Sequence, residues 1–362
     1  MDFADLKVST HTVIAMNNWY LDIPRLFKEL PITPYMYVPT PRKNPKKKTP
    51  VKNDTNLDKL PSGSIITLKY KDETRGVDIK ELMKVYSHRV TKKPQLPPKK
   101  KSFRNSMMIV MKAGGKKITF KLPHYGKIQM CGCKEAIQAE KCVKHIWKHI
   151  YRVKKRIPGI ALILEKFPCF IEKMEMKKIH ASLSERLITE KAGKGGVTFD
   201  YEPHILFLIV MVNKDFNLDF LLDREKLSIH INKNTQYNYK CILETAVNTS
   251  AVVKVESVKE NRPPLVGFKL KSRRWEPCNM EYGSYVAQLN NDGAKKAREV
   301  KYHSFLMFHS GSTIQSSPYI EEMEIVYNTF MKFIKENEEY IRESLEVNDQ
   351  REYFQYLEGL KA

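Results

Sequence analysis

No run of 18 or more apolar residues occurs in this chain, so a membrane-spanning helix is not expected. The amino terminus, MDFADLKVST, has no basic segment leading into an apolar stretch, so no secretory signal is expected either. Cysteine is scarce. Six residues (Cys131, Cys133, Cys142, Cys169, Cys241 and Cys278) lie at irregular spacings in 362 positions, too few for a disulfide framework. They read as free thiols in a soluble protein that stays in a reducing, intracellular compartment. Strand alternation puts Cys131 and Cys133 on one face of one strand, without paired ligands elsewhere, so no metal is expected there. A Gly-rich phosphate loop is missing: KAGKGGVTF at 191–199 lacks the Walker spacing and reads as a connector. His145 and His149 stand four apart with no acidic residue between them and lysines around them, which reads as exposed helical histidines. No nucleophile with a local base emerges. An enzyme and a cofactor are therefore not expected.

Acidic residues are also short in one half. Residues 1–155 hold 34 Lys and Arg against 12 Asp and Glu, whereas residues 156–362 hold 29 against 29. The whole formal excess of +22 sits in the first half. Clustered cations gain by displacing counterions condensed on phosphates, so this segregation points to a polyanion partner. PRKNPKKKTPVKN (41–53) and KKPQLPPKKK (92–101) read as solvated Pro/Lys-rich insertions at least as readily as polyanion-binding runs, and they also fit the weak pattern of nuclear-targeting signals. The cations in ordered stretches, Arg104, Lys112, Lys116, Lys117, Lys121 and Lys127, are the better phosphate-binding candidates.

What the chain does have is a duplication. KKITFKLPHYGKIQMCGCKEAIQAEKCVKHIWKHIY (116–151) and KYHSFLMFHSGSTIQSSPYIEEMEIVYNTFMKFIKE (301–336) share one order: alternating strand, Gly turn, alternating strand, amphipathic helix. In the first copy Ile118, Phe120, Leu122, Ile128 and Met130 fall on one strand face; Thr119, Lys121, Gln129 and Cys131 fall on the other. Ala139, Cys142, Val143, Ile146 and Ile150 form a helical stripe that must cover the apolar face. In the second copy Phe305 and Met307 alternate with Leu306 and Phe308, and Met323, Val326, Tyr327, Phe330 and Ile334 form the stripe.

The order extends upstream. A strand over Leu6–Met16, a helix from Asp22 with Pro24 in its first turn, a strand within 63–77 and a hairpin over 103–122 turning at Ala113, Gly114 and Gly115 precede the first copy. A strand at 204–212, a helix from Asp223 with Leu227 and Ile231 inward, and a strand at 251–255 precede the second. The expected organisation is a first repeat over 1–155 with basic insertions and a partly helical connector over 156–203. A second repeat follows over 204–345, with a polar insertion at 259–300, and then a tail over 346–362.

This order, with GKIQMCGCK and LMFHSGSTIQS and the helix after each, resembles the TATA-binding protein family, most closely the divergent members of nucleocytoplasmic large DNA viruses. The resemblance covers most of residues 6–155 and 204–345. It implies an α+β fold: a pseudo-twofold saddle in which two sheet-plus-helix repeats form one curved antiparallel sheet, with helices on the convex face. It further implies that the concave underside meets the minor groove of duplex DNA, where apolar and small polar side chains lie against a widened, donor-poor groove. Carried over by position, the DNA-contacting residues are Thr10, Thr12, Thr119, Lys121, Gln129 and Cys131 in the first copy. In the second they are Phe207, Ile209, Leu306, Phe308, Ile314 and Ser316. Lys127 matches a phosphate-contacting lysine, and Phe308 matches one of four phenylalanines that wedge between base steps.

Departures from the family pattern are specific. The other wedge positions fall near Ser106, Pro123 and Asn248, none aromatic, with Phe103 close to one of them. The central asparagines correspond to Thr10 and Phe207, and a strand-ending glycine becomes Ser317. The expected function is a transcription initiation factor that binds promoter duplex DNA and recruits a transcription factor B-like protein and RNA polymerase. It would act at a site of viral transcription, in a virus factory or the host nucleus, with packaging in the virion left open. The alternative is a protein-interaction scaffold on the same fold with little sequence-specific DNA binding.

Overall fold

The computed structural model describes residues 2–35, 57, 59–77, 105–189, 201–243, 250–257 and 262–343. In chain order the elements begin β1 (Val8–Leu21), α1 (Ile23–Glu29), β2 (Ile65–Tyr70), β3 (Glu73–Gly76), β4 (Ser106–Ala113), β5 (Lys116–Pro123), β6 (Tyr125–Cys133) and α2 (Ala136–Arg156). Then come β7 (Ala161–Ile163), α3 (Lys173–Thr189), β8 (His204–Asn217), α4 (Arg224–Lys233), β9 (Tyr239–Leu243) and β10 (Ser250–Glu256). The remainder are β11 (Val266–Lys271), β12 (Arg274–Pro277), α5 (Tyr282–Gln288), α6 (Asn291–Arg298), β13 (Tyr302–Phe308), β14 (Ser312–Ser317), α7 (Met323–Glu336) and α8 (Glu338–Ile341). The content is α+β, and the strands pair antiparallel among the described residues. No described helix is long and apolar enough to cross a membrane.

The chain divides into two compact units. The first comprises Thr10–Val210 and Asn261–Glu299; the second comprises Met1–Ser9, Met211–Glu260 and Val300–Ala362. The segment expected as an insertion in the second repeat thus belongs to the first unit.

In the first unit the strand order is β3-β2-β4-β5-β6-β1, with β7 on β1 and β11 on the first residues of β8. The expected helix caps are present: Asp22 accepts from the Arg25 amide, satisfying a donor the first turn of α1 cannot use internally. Gly114 and Gly115 close the β4–β5 hairpin, both at positive φ (56° and 76°), the conformation a two-residue primed turn requires. The α2 stripe of Ala139, Cys142, Val143, Ile146 and Ile150 is buried against Ile118, Phe120, Ile128 and Met130, joined by Trp147 and Val153. Trp147 packs on Trp19 at 4.7 Å between rings.

Three sequence readings change here. First, β1 runs on to Leu21, five residues past the expected end at Met16. Asn17 and Asn18 resemble a strand terminus in sequence, yet both are buried and satisfied: Asn17 donates to the Gly126 carbonyl at 2.9 Å, while Asn18 donates to Leu164 and Glu202 and accepts from the His204 amide. Second, 63–77 folds into the β2–β3 hairpin rather than one strand, turning at Lys71 with φ 52°. Third, Cys131 and Cys133 do not share a face. Gly132, at φ 88°, is an extra residue where the β1–β6 register shifts between His11 and Thr12. Such a bulge re-aims the side chains beyond it. Cys131 is exposed and Cys133 is buried.

In the second unit the order is β8-β14-β13-β10-β9, using the last residues of β8. Asp223 caps α4 by accepting from the amides of Glu225 and Lys226, and Leu227 and Ile231 are buried as expected. Phe305 and Met307 face α7, with Phe305 stacked on Phe330 at 3.9 Å. Burial of a large aromatic pair removes a few hundred square ångströms of apolar surface from water. His303 is fully buried beneath the same helix, 2.8 Å from Glu322 and 2.9 Å from the Ser317 hydroxyl. Ser317 therefore serves the local packing, since the Tyr319 amide also donates to its hydroxyl.

Candidate nucleic-acid interface

Each unit has one sheet face covered by helices and one that α2 or α7 leaves free. In the first unit two cross-strand rows run over the helix-free face. One is Thr12, Cys131, Thr119, Val110 and Thr67; the next is Ile14, Gln129, Lys121, Met108 and Lys69. Thr119, Lys121, Gln129 and Cys131 are exposed, Thr10 is half-buried, and Thr12 is buried with its hydroxyl 4.0 Å from the Cys131 sulfur. Neither row contains an acidic residue. Alternation alone collects these hydroxyl, amide and ammonium groups, because core residues occupy every other position of β5 and β6.

The cations expected to hold phosphate divide. Lys121 and Lys127 are exposed on β5 and β6. Lys127 stands near Cys169, whose thiol burial pushes up to about 11 against the opposing pull of that ammonium. Lys116 is half-buried, and burial, aided by the charge of Lys134, lowers its pKa. Lys117 points its ammonium to Tyr35, 3.5 Å from the hydroxyl and 5.4 Å from the ring centroid. Lys112 is a correction: it is buried and donates to the Leu60 carbonyl at 2.5 Å, so its ammonium holds the 60–64 turn instead of facing a ligand. Arg104, Phe103 and Asn248 lie outside the described residues.

Part of this face is roofed by the unit itself. Met16 and Ile14 on β1 and Leu206 on β8 pack with Phe167, Leu265 and Tyr285, which come from the connector and from the 262–299 segment. The roof covers the β1–β8 side and reaches β6 near Lys127, and Val110 on β4 packs with Tyr35, Leu57 and Ile66; Thr119, Lys121, Lys127, Gln129 and Cys131 between them stay exposed.

In the second unit the helix-free face is different chemistry on matching strands. A row of Ile242, Val252, Leu306 and Ile314 ends at Asp215. Beside it run Lys240, Lys254, Ser304, Ser316 and Asn213. Phe308 sits across from Ser250. Its parity is as expected: Phe305 and Met307 are fully buried while Leu306 and Phe308 are half-buried on the opposite face. Ile242 is 52% exposed, large for an isoleucine in a strand. Leu306, Phe308, Ile314 and Ser316 share this face, which Val252, Ile242, Lys240 and Lys254, absent from the sequence reading, also line. The alternation of 250–256 carried Val252 and Lys254; β9 had too short an apolar pattern to be read.

Phe207 is the second correction. It is buried in the α2-side core of the first unit and meets Phe268 edge-on at 6.2 Å. The alternation of Ile205 and Phe207 against Leu206 and Leu208 assigns it to the helix-bearing face. Ile209 is exposed, also within the first unit.

His145 and His149 are half-buried rather than exposed: His145 lies 3.2 Å from the Ser62 hydroxyl, and His149 is 2.9 Å from the Gly63 carbonyl. Among the described residues no group of three or more His, Cys, Asp or Glu could hold a metal ion. No protein-family model matches the chain, and no curated protein does.

Proposed function

We propose that this protein binds duplex DNA through the helix-free sheet faces as a TATA-binding-protein-like initiation factor. In this reading the two units present their faces to one duplex as the halves of a saddle. The observation that carries it is the acid-free, exposed group of Thr119, Lys121, Gln129 and Cys131 beside Lys127 on β5 and β6. Small hydroxyl and amide groups suit a groove with few donors, and ammonium groups beside them suit its flanking phosphates. The matching strand orders, β2-β4-β5-β6-β1 and β9-β10-β13-β14-β8, support a duplicated architecture. Recruitment of a transcription factor B-like protein and RNA polymerase follows from the family resemblance.

The roof over Ile14 and Met16 narrows the reading: contact in the first unit is confined to the exposed residues of β5 and β6. With Phe308 the one wedge candidate among the described residues, DNA is bent less than by a protein with four. The test is duplex binding at varied salt. Binding whose log K falls with log salt, by about 0.9 in slope per phosphate contact, agrees; a flat relation contradicts it.

A second reading rests on the apolar row of Ile242, Val252, Leu306 and Ile314. An exposed apolar face of this kind also fits a protein partner, which would make the molecule an interaction scaffold. Shielding of that row by added protein but not by DNA distinguishes this case.

A further inference from the structure

The β11–β12 hairpin lies in the stretch expected as a polar insertion at 259–300. It is an ordered, cationic finger. Residues 262–300 hold eight Lys and Arg against four Asp and Glu, although the half of the chain around them is balanced. The foot is fixed: Val266 to Lys269 pair with β8, the Leu270 amide donates to the Pro203 carbonyl at 2.8 Å, and Phe268 lies beneath the Lys144 ammonium at 3.4 Å. Beyond Leu270 the strand has no further partner on β8, and Lys271, Ser272, Arg273 and Arg274 at the tip are all exposed.

Two features of the tip point to a ligand. The turn has positive φ at both Ser272 (45°) and Arg273 (67°), a conformation that favours Asn and Gly and is strained for other side chains. A strained residue kept where a glycine would be easier is a signature of a functional position. In addition, neither Arg273 nor Arg274 forms an ion pair or hydrogen bond among the described residues, while Lys271 has only a long contact, 3.9 Å, to the half-exposed Glu276. The guanidinium donors are therefore left to an external acceptor.

We propose that the β11–β12 tip is a second nucleic-acid contact, in which Lys271, Arg273 and Arg274 engage the phosphate backbone of duplex DNA. A two-stranded ribbon has the width that a DNA major groove admits, and paired guanidinium forks match phosphate oxygens. The partner class is shared with the sheet-face reading, but the surface is not: the finger needs none of the sheet-face residues.

The experiment compares the full chain with the triple variant Lys271→Gln/Arg273→Asn/Arg274→Gln and, separately, Lys121→Gln/Lys127→Gln, on a fluorescent 30-base-pair duplex between 50 and 200 mM salt. Asn at 273 tolerates positive φ, so thermal unfolding should not move to lower temperature. The finger variant is expected to weaken binding of all sequences alike and to reduce the salt slope by about 0.9 per lost phosphate contact. An unchanged affinity and slope overturns the proposal. So does weakened binding of poly-glutamate with unaltered duplex binding, which assigns the finger to an acidic protein. If the finger variant loses affinity and the sheet variant does not, this inference stands while the sheet-face reading fails; the reverse pattern does the opposite.

Discussion

The helix-free faces of the two units share a strand order and almost nothing else. In the first unit the face carries Thr119, Lys121, Gln129 and Cys131 and is partly roofed by Phe167, Leu265 and Tyr285. In the second it carries Ile242, Val252, Leu306 and Ile314 in a row that ends at Asp215, with Lys240 and Lys254 confined to the row beside it. The difference teaches that topology is set by the buried positions alone. Alternation requires Ile118, Phe120, Phe305 and Met307 to be apolar and leaves every second residue free to vary. Function therefore has to be argued from those free positions: polar and cationic on the exposed residues of β5 and β6 in the first unit, an apolar row flanked by Lys240 and Lys254 in the second.

The sharpest way to break this comparison is to substitute adjacent residues of one strand. Phe305→Ala removes a buried ring stacked on Phe330 and should cost about 3–5 kcal/mol in urea unfolding. Leu306→Ala, one position on, should cost about a third of that or less, because its side chain faces outward. Equal costs would mean the faces are misassigned. Next in size, Lys121→Glu with Lys127→Glu should lower duplex affinity for every sequence and reduce the salt slope by about 1.8, two contacts' worth. The corresponding change in the second unit, Lys254→Glu, should alter that slope by less.

A smaller effect tests the bulge. Gly132→Ala forces a side chain into positive φ, which costs roughly 1–2 kcal/mol, and should raise the reactivity of the buried Cys133 toward thiol reagents. Unaltered reactivity would show that the bulge does not set its orientation. Smallest is a difference in acid sensitivity. Burial, first among the causes, lowers the pKa of His124, His145, His149 and His204 in the first unit and of His303 in the second. Each unfolded histidine takes up a proton near the ordinary value of 6.5 while its folded counterpart resists, so the stability they carry is full above pH 6.5 and is lost as pH falls through the lowered folded values. Hydrogen exchange between pH 7 and 5, corrected for intrinsic rates, should show the first unit loosening more than the second. Equal loosening would contradict the assignment of four such groups to one unit.

Much of the architecture was legible because it follows from periodicity. The α2 stripe, the Asp22 and Asp223 caps and the Gly114–Gly115 hairpin were all readable from side-chain pattern and turn chemistry. What was not legible depended on contacts far away in sequence. Asn17 and Asn18 looked like a strand end because their buried partners at 126, 164, 202 and 204 cannot be seen locally. Lys112 looked like a ligand cation until the Leu60 carbonyl took its ammonium. The roof is the clearest case: Leu265 and Tyr285 sit in a stretch whose polar average conceals a few apolar residues aimed at Met16. Of the candidate site, the β5–β6 and β13–β14 positions carried over from the resemblance fall on the helix-free faces, as strand alternation requires, and Phe207 was misplaced because a uniformly apolar strand offers no contrast between its faces.

The most direct measurement is lysine acylation of the full chain with and without duplex DNA, read by peptide mass spectrometry, with Lys332 on the outer surface of α7 as the internal reference; its side chain is 78% exposed. DNA bound to the helix-free face should slow the labelling of Lys121 and Lys127 several-fold while Lys332 reacts at the same rate. Unchanged labelling of Lys121 and Lys127 at saturating duplex would show that the β5–β6 face does not meet DNA.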